Sequence, residues 1–271
     1  MASSRESCKH QYLRHKIVHC ISQAPHAQLR SMKNQYVGDI HDYRKYGLLR
    51  ALQSESRCSI LVAWMLTPDD GSEDGNFRSY VKGGDRWKTC DPELFKSLAV
   101  LHESAIRDVS VIGRSSLIPN ASYYSMPVPE SRTDREIWQH GLLEAARNVD
   151  LVFLDPDNGI EVPSKPAGRK GSSKYVLWDE IKMLWTQGCS LLIYQHFCRE
   201  QRQSFAKRLL TKLRACTGAT FIEAFHTPHA LFLLIAQDQH APQFQKAHSI
   251  IYELWNKQIW LTKNDVEMGT P

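Results

Sequence analysis

The chain lacks any apolar run approaching the roughly 18 to 20 residues that a membrane helix needs. Its longest candidates, around Leu191 and Leu231, are strand-length. A soluble protein with no membrane partner is therefore expected. A CxxC pair and regular cysteine spacing are also missing: the seven cysteines stand at 8, 20, 58, 90, 189, 198 and 216, and Cys58 and Cys189 adjoin apolar segments. That pattern favours reduced thiols and a cytoplasmic location. Zinc held by Cys198 and His196 is an open alternative to buried or incidental thiols. The sequence has no internal repeat and no strong interdomain linker, and it lacks the GxGxxG glycine pattern of dinucleotide loops.

Outside the first 31 residues basic and acidic side chains nearly balance. The net charge is +5, and Arg5, Lys9, Arg14, Lys16 and Arg30 against Glu6 alone supply +4 of it. Whole-chain charge thus makes no independent case for nucleic acid, although a local basic patch can still serve one. The same 31 residues carry four histidines, no strong apolar periodicity and no signal-peptide core. They are expected to be a disordered leader or a non-native extension, with Met32 as a natural start and residues 32–271 as one α/β domain.

What is present is ordinary globular material, with 42% hydrophobic, 10% aromatic and 23% charged residues in 271. From Asp42, the residues Tyr43, Tyr46, Leu48, Leu49 and Leu52 recur at helical spacing, predicting a helix to about Gln53 with Asp42 as its cap. Ile60 to Leu66 reads as a buried strand entering the Thr67-Pro68-Asp69-Asp70-Gly71 loop. Asp91-Pro92-Glu93 starts a helix, with a cap followed by proline at the first helical position. Val109 to Ile112 reads as a short strand. Thr133 to Glu136 has capping-box spacing before another helix. Leu151 to Leu154 is a strand, Trp178 to Trp185 a helix and Ser190 to Tyr194 a strand. A long helix through Leu213 precedes strands at Thr220 to Phe225 and Ala230 to Ala236, close enough for an antiparallel hairpin. The alternation predicts a single Rossmann-like α/β domain: a mostly parallel, doubly wound sheet with a C-terminal antiparallel hairpin and ligands beyond the carboxyl ends of the strands.

Asp155-Pro156-Asp157-Asn158-Gly159 is the most informative stretch, because a buried strand delivers two carboxylates and an amide into a glycine-containing turn. Glu161 adds a third acid, and the basic stretch Lys165, Gly168, Arg169, Lys170, Gly171 reads as a mobile loop beside it. The alternative is a turn that Asp155 caps and Asn158-Gly159 reverses. Gly38 to Tyr46 is a second dense polar stretch, where Asp39, His41 or Lys45 could hold a cofactor or phosphate, or simply form a capped and solvated first turn. Asp69 to Gly75 reads as an acidic turn. With Asp155 and Asp157, its Asp70 and Asp74 could also contribute oxygen ligands for a hard cation. His196, at a strand end, could be a base, a metal ligand or a phosphate contact, or a hydrogen-bonded loop histidine.

Asp-Pro after a central strand resembles the amino-methyltransferase tetrapeptide, Asp/Asn-Pro-Pro-aromatic, whose first residue and a backbone carbonyl accept hydrogen bonds from the target amine. Here Asp157 and Asn158 replace the second proline and the aromatic. The set Met32-Lys33-Asn34-Gln35-Tyr36, Gly38-Asp39, Asp42 to Arg50, Trp64 to Asp69, Phe153 to Gly159 and Tyr194 to Phe197 resembles an uncharacterised family of bacterial and phage proteins, over residues 32–240. More distantly, the order of entry helix, first strand and Asp-Pro loop is similar to ribosomal-RNA adenine methyltransferases of the RlmJ type. That resemblance implies Asp155 at the target amine, Lys45 and Asp70 near S-adenosylmethionine, and a nucleic-acid substrate.

The resulting expectation is a methyltransferase-like enzyme acting on nucleic acid, with Asp155, Asp157, Asn158 and His196 as catalytic candidates and Asp39, Lys45 and Asp70 as cofactor-binding candidates. Two alternatives stand beside it. One is a magnesium- or manganese-dependent phosphodiesterase or nuclease using Asp155, Asp157 and Glu161. The other is a noncatalytic nucleotide or nucleic-acid binding protein. Oligomeric state is not legible in the sequence.

Overall fold

A computed structural model describes residues 37–54, 58–68, 77–104 and 108–262. Their described parts group into two compact units, one of residues 37–50 and 68–119, the other of residues 51–67 and 120–262.

The first unit is helical. It holds most of α1 (Ile40–Ser54), a 3-10 turn at Ser79–Lys82, then α2 (Asp85–Lys88), α3 (Pro92–Glu103) and α4 (Val109–Arg114). The start of α3 is as the sequence predicts: Asp91 accepts the Leu94 amide at 2.9 Å, with proline following the cap. The same carboxylate pairs with Arg50 at 2.6 Å, tying α1 to α3. Tyr43, Tyr80, Trp87 and Phe95 pack as an aromatic cluster, with Tyr43 stacked on Tyr80 at 5.3 Å. The strand expected at Val109 to Ile112 is α4 instead, because Asp108 caps its first turn by accepting the Ser110 amide at 2.8 Å. Four apolar-rich residues carry no period of their own, so the cap decides.

The second unit is built on a seven-stranded mixed sheet in the order β2-β1-β3-β6-β8-β7-β9. The strands are β1 (Ile60–Ala63), β2 (Ala121–Tyr124), β3 (Leu151–Leu154), β6 (Ser190–His196), β7 (Phe221–His226), β8 (Ala230–Ala236) and β9 (Trp260–Leu261), while β4 (Gly159–Ile160) and β5 (Tyr175–Val176) form a separate parallel pair. β2, β1, β3 and β6 run parallel, and β8, β7 and β9 join antiparallel. The expected hairpin of β7 and β8 is present. α5 (Arg132–Ala145), α6 (Trp178–Thr186), α7 (Arg202–Thr217) and α8 (Ala241–Leu254) connect or follow the strands.

Alternation along the strands sorts the core by face. Leu61, Ala63, Val152, Leu154, Leu191, Ile193, Leu231 and Leu233 cluster with Trp138 and Leu142 of α5, Ile181 and Leu184 of α6 and Leu209 and Leu213 of α7. The other face carries Phe153 and Phe232, whose rings lie 6.5 Å apart, and receives α8, whose His248 bonds Glu223 of β7 at 2.7 Å. Buried strands with helices on both faces explain why β1, β3 and β8 are apolar throughout. The cap of α5 is Ser131, two residues before the predicted Thr133, and accepts the Asp134 amide at 3.5 Å. Among the described residues no helix is long and apolar enough to cross a membrane.

Candidate functional site at the end of β3

The chain leaves β1 toward β2 on one side and leaves β3 toward β6 on the other, so a topological switch point lies between β1 and β3. Open α/β sheets hold ligands in the crevice at such a point, beyond the carboxyl ends of the strands. The segments leaving both strands meet here. The Asp155 amide donates to the Ala63 carbonyl at 3.0 Å, and the Thr67 hydroxyl donates to Asp157 Oδ2 at 2.8 Å. Met65, between them, is fully buried with φ +47°. A non-glycine residue in the left-handed region costs about 1 to 2 kcal/mol, and such strain concentrates at functional sites.

The loop after β3 is held from β6. Gln195, the penultimate residue of that strand, is 6% exposed, and its carboxamide donates to the Asn158 carbonyl at 3.1 Å and the His196 carbonyl at 2.9 Å. It also accepts the Ile160 amide at 2.8 Å. The His196 amide donates to the Asn158 carbonyl at 3.3 Å, and the Asn158 amide to the Lys174 carbonyl at 2.9 Å. Gly159 sits at φ +118°, and a Cβ there would run into the Gln195 carboxamide. Only glycine meets both conditions. The His196 side chain is exposed, its ring edge-on to Tyr194 at 5.0 Å.

Beyond β4 the basic loop is cross-braced rather than loose. Lys165 Nζ donates to the Lys170 carbonyl at 3.0 Å, and the Gly171 amide donates to Glu130. The buried pair Arg135 and Glu180 meets through two hydrogen bonds of 2.5 and 2.8 Å. The same guanidinium donates to the Tyr175 carbonyl at 2.8 Å, and Glu180 accepts the Leu177 amide at 2.9 Å. Arg169 and Lys170 remain exposed. Burial is the main cause that pushes the Glu161 carboxyl above its ordinary range, opposed by a hydrogen bond from the Trp178 backbone. Among the described residues no three His, Cys, Asp or Glu side chains converge as a metal-holding group.

The other candidates lie in the helical unit or outside the described residues. Asp39 caps α1, accepting the His41 amide at 2.8 Å and the Asp42 amide at 3.0 Å, while Asp42 reaches back to the Gly38 amide at 3.0 Å. The cap predicted at Asp42 is thus Asp39, with Asp42 completing a reciprocal pair in the manner of a capping box. Both carboxylates are buried. Lys45 lies 3.8 Å from Asp42 and is nearly buried with it. Among the described residues Asp39 Oδ2 has no hydrogen-bond donor. Burial, with the charge of Asp42 adding to it, pushes the Asp39 carboxyl up to about 7. A buried acceptor without a donor is a group that a ligand N–H or O–H would satisfy. Asp70 and Asp74 lie outside the described residues.

The structure therefore gathers Asp155, Asp157, Asn158 and His196 at one sheet edge and places Asp39 and Lys45 together at the start of α1. Sequence reasoning missed Thr67, Gln195 and the Arg135–Glu180 pair, whose partners lie 90, 35 to 37 and 45 residues away in the chain. Compared with protein-family profiles, with curated proteins and with solved structures, the chain gave no match in any of the three.

Proposed function

We propose that the protein is a methyltransferase-like enzyme acting on an amino group of nucleic acid, with Asp155 at the reacting amine. The observation that carries this reading is the delivery of Asp155-Pro156-Asp157-Asn158 from the end of β3 at the switch point beside β1, with the loop tied on both sides. The sheet supports it as a Rossmann-like arrangement: four parallel strands followed by an antiparallel terminal hairpin are compatible with the methyltransferase fold.

In this reading the Asp155 carboxylate and a neighbouring backbone carbonyl accept hydrogen bonds from the target amine, aligning its lone pair. Positioning supplies most of the catalysis in such a transfer. The Asp155 amide is fixed on Ala63, and buried Pro156 restricts the backbone that follows. Asp157 and Asn158, which replace the proline and aromatic of the related tetrapeptide, have structural work: Asp157 binds Thr67, and the Asn158 backbone bonds Lys174, Gln195 and His196. His196, exposed beside the loop, is placed to meet a phosphate or the base. S-adenosylmethionine would supply an electrophilic methyl group. Asp39 and Lys45 belong to the helical unit, where Lys45 is already engaged with Asp42, and they take no part in this reading.

Methyl incorporation from labelled S-adenosylmethionine into mixed RNA and DNA pools tests the reading. Asp155→Ala is expected to lower turnover by about 100-fold or more while sparing donor affinity, and Asp157→Ala to act more mildly, through the loop. Folded content is compared first. Absence of incorporation by the native protein, or full activity in both folded variants, would sink the assignment.

A further inference from the structure

The rim at the β6–β8–β7–β9 end of the same sheet edge carries a second pattern that the methyl-transfer reading does not use. Strand register brings its parts together: His196 at the end of β6 pairs with Ala230 at the start of β8, while His226 at the end of β7 pairs with Leu231 and Trp260. The segment after β6, the β7–β8 turn and edge strand β9 thus lie side by side.

Flat faces and guanidinium groups alternate along this rim. The Arg202 guanidinium lies 4.4 Å from the Phe197 ring centroid, held there by donating to the Pro228 carbonyl at 2.9 Å. His226 stacks on Trp260 with centroids 5.4 Å apart and planes at 28°, its Nδ1 3.2 Å from Thr262 Oγ1. Burial first, and the nearby charge of Arg202 second, hold the His226 imidazole below its ordinary pKa, so near neutral pH it is an uncharged ring. Arg199, Arg202 and His229 are exposed. The acid of this segment, Glu200, is spent on Arg208 at 2.6 Å, and Arg202 donates to a carbonyl and pairs with no acid among the described residues.

We propose that this rim seats a single-stranded segment of RNA or DNA, with bases on the Phe197–Arg202 and His226–Trp260 stacks and phosphates on Arg199 and Arg202. Single strands are bound by this combination, because splayed bases offer π faces that a duplex buries and cations follow the backbone. Phe197 directly follows His196, whose amide bonds the Asn158 carbonyl, so a strand on the rim runs toward the Asp155 loop. The proposal deepens the nucleic-acid reading and rests on it for the chemistry, whereas binding is measurable without any reaction.

The test uses the full chain and fluorescein-labelled oligothymidylate and oligouridylate of about 15 nucleotides, a length near the upper site size of a small single-strand module. Fluorescence anisotropy is compared with an abasic strand of equal length, a duplex and polyglutamate. Arg202→Gln and Trp260→Leu, each checked for native thermal unfolding, are expected to weaken oligonucleotide binding about tenfold. The abasic strand should bind weakly to all three proteins. No binding by the native protein, unchanged affinity in both variants, or equal affinity for duplex or polyglutamate would overturn the rim, the last by marking it as a surface for any acidic partner. Binding with the expected losses but without methyl incorporation would keep the rim and sink the Asp155 assignment. Incorporation into the mixed pools without single-strand binding would do the reverse.

Discussion

Around Gln195 both polar atoms of a buried carboxamide are engaged, whereas at the start of α1 the buried Asp39 carboxylate has one oxygen accepting two amides and the other accepting none among the described residues. The first cluster restrains a loop whose carboxylate Asp155 is only half-buried. The second carries a desolvation cost that a proton or a ligand donor would relieve. A satisfied network makes a fixed platform, and an unsatisfied one makes a place whose energy depends on conditions.

The satisfied side is broken most severely by Arg135→Ala, which leaves Glu180 buried with the Leu177 amide as its remaining hydrogen-bond partner among the described residues. Removing one member of a buried pair costs about 3 to 5 kcal/mol, read as a lower urea midpoint at unchanged slope. Replacing both residues by apolar ones of similar volume should recover most of that loss. Gly159→Ala comes next. It forces a side chain to φ +118° and against Gln195, for an expected loss of about 2 to 4 kcal/mol. Shortening Gln195 in the same chain would relieve the clash but not the backbone strain, so partial rescue is expected. A melt of Gly159→Ala equal to that of the native protein would show that the loop can open away from β6.

The unsatisfied side gives a smaller, pH-dependent effect. The Asp39 carboxyl is near 7 when folded against 3.8 for an ordinary aspartate, so between these values the folded form holds a proton that the unfolded form has lost. Its contribution is fully present below the unfolded pKa and disappears as pH rises through about 7. Asp39→Asn keeps the capping oxygen and removes the charge. It should raise stability at alkaline pH by about 1 kcal/mol and flatten this part of the pH profile. A slope unchanged by Asp39→Asn would assign it to other groups. The smallest expected effect is at Tyr123, whose buried hydroxyl has no hydrogen-bond partner among the described residues while its ring stacks on Trp64 at 4.8 Å. Tyr123→Phe should leave stability unchanged or raise it by less than about 1 kcal/mol, since no hydrogen bond is lost.

The elements that were legible in the sequence are those whose cause is local. Pro92 after Asp91 marks the start of α3, the apolar runs at Leu151 and Ala230 mark central strands, and Thr227-Pro228-His229 marks the hairpin turn. The short strand Ala121–Tyr124 has no clear signature in the sequence, because its residues are partly buried or exposed and alternate weakly. β4 and β5, two residues each, have no period to read. The Asp155 loop stood out because a buried strand ends in paired acids and a glycine, but its braces did not, since Thr67 and Gln195 are ordinary residues until the fold brings them near.

The sequence by itself determined the central strands β1, β3, β6 and β8 with the helices before and after them, the acids carried at the end of β3, and the glycine that the turn after them requires. These follow from burial periodicity, turn chemistry and caps, all of which act within a few residues. Tertiary structure decided that β1 and β3 are neighbours, that Gln195 closes on Gly159, and that the ends of β6 and β7 lie along one edge with the start of β9. It also decided that Asp39, a cofactor or phosphate candidate in the sequence, caps α1 and is buried deeply enough to shift its charge. Strand order and desolvation belong to the packed chain as a whole, because each depends on partners dozens of residues away.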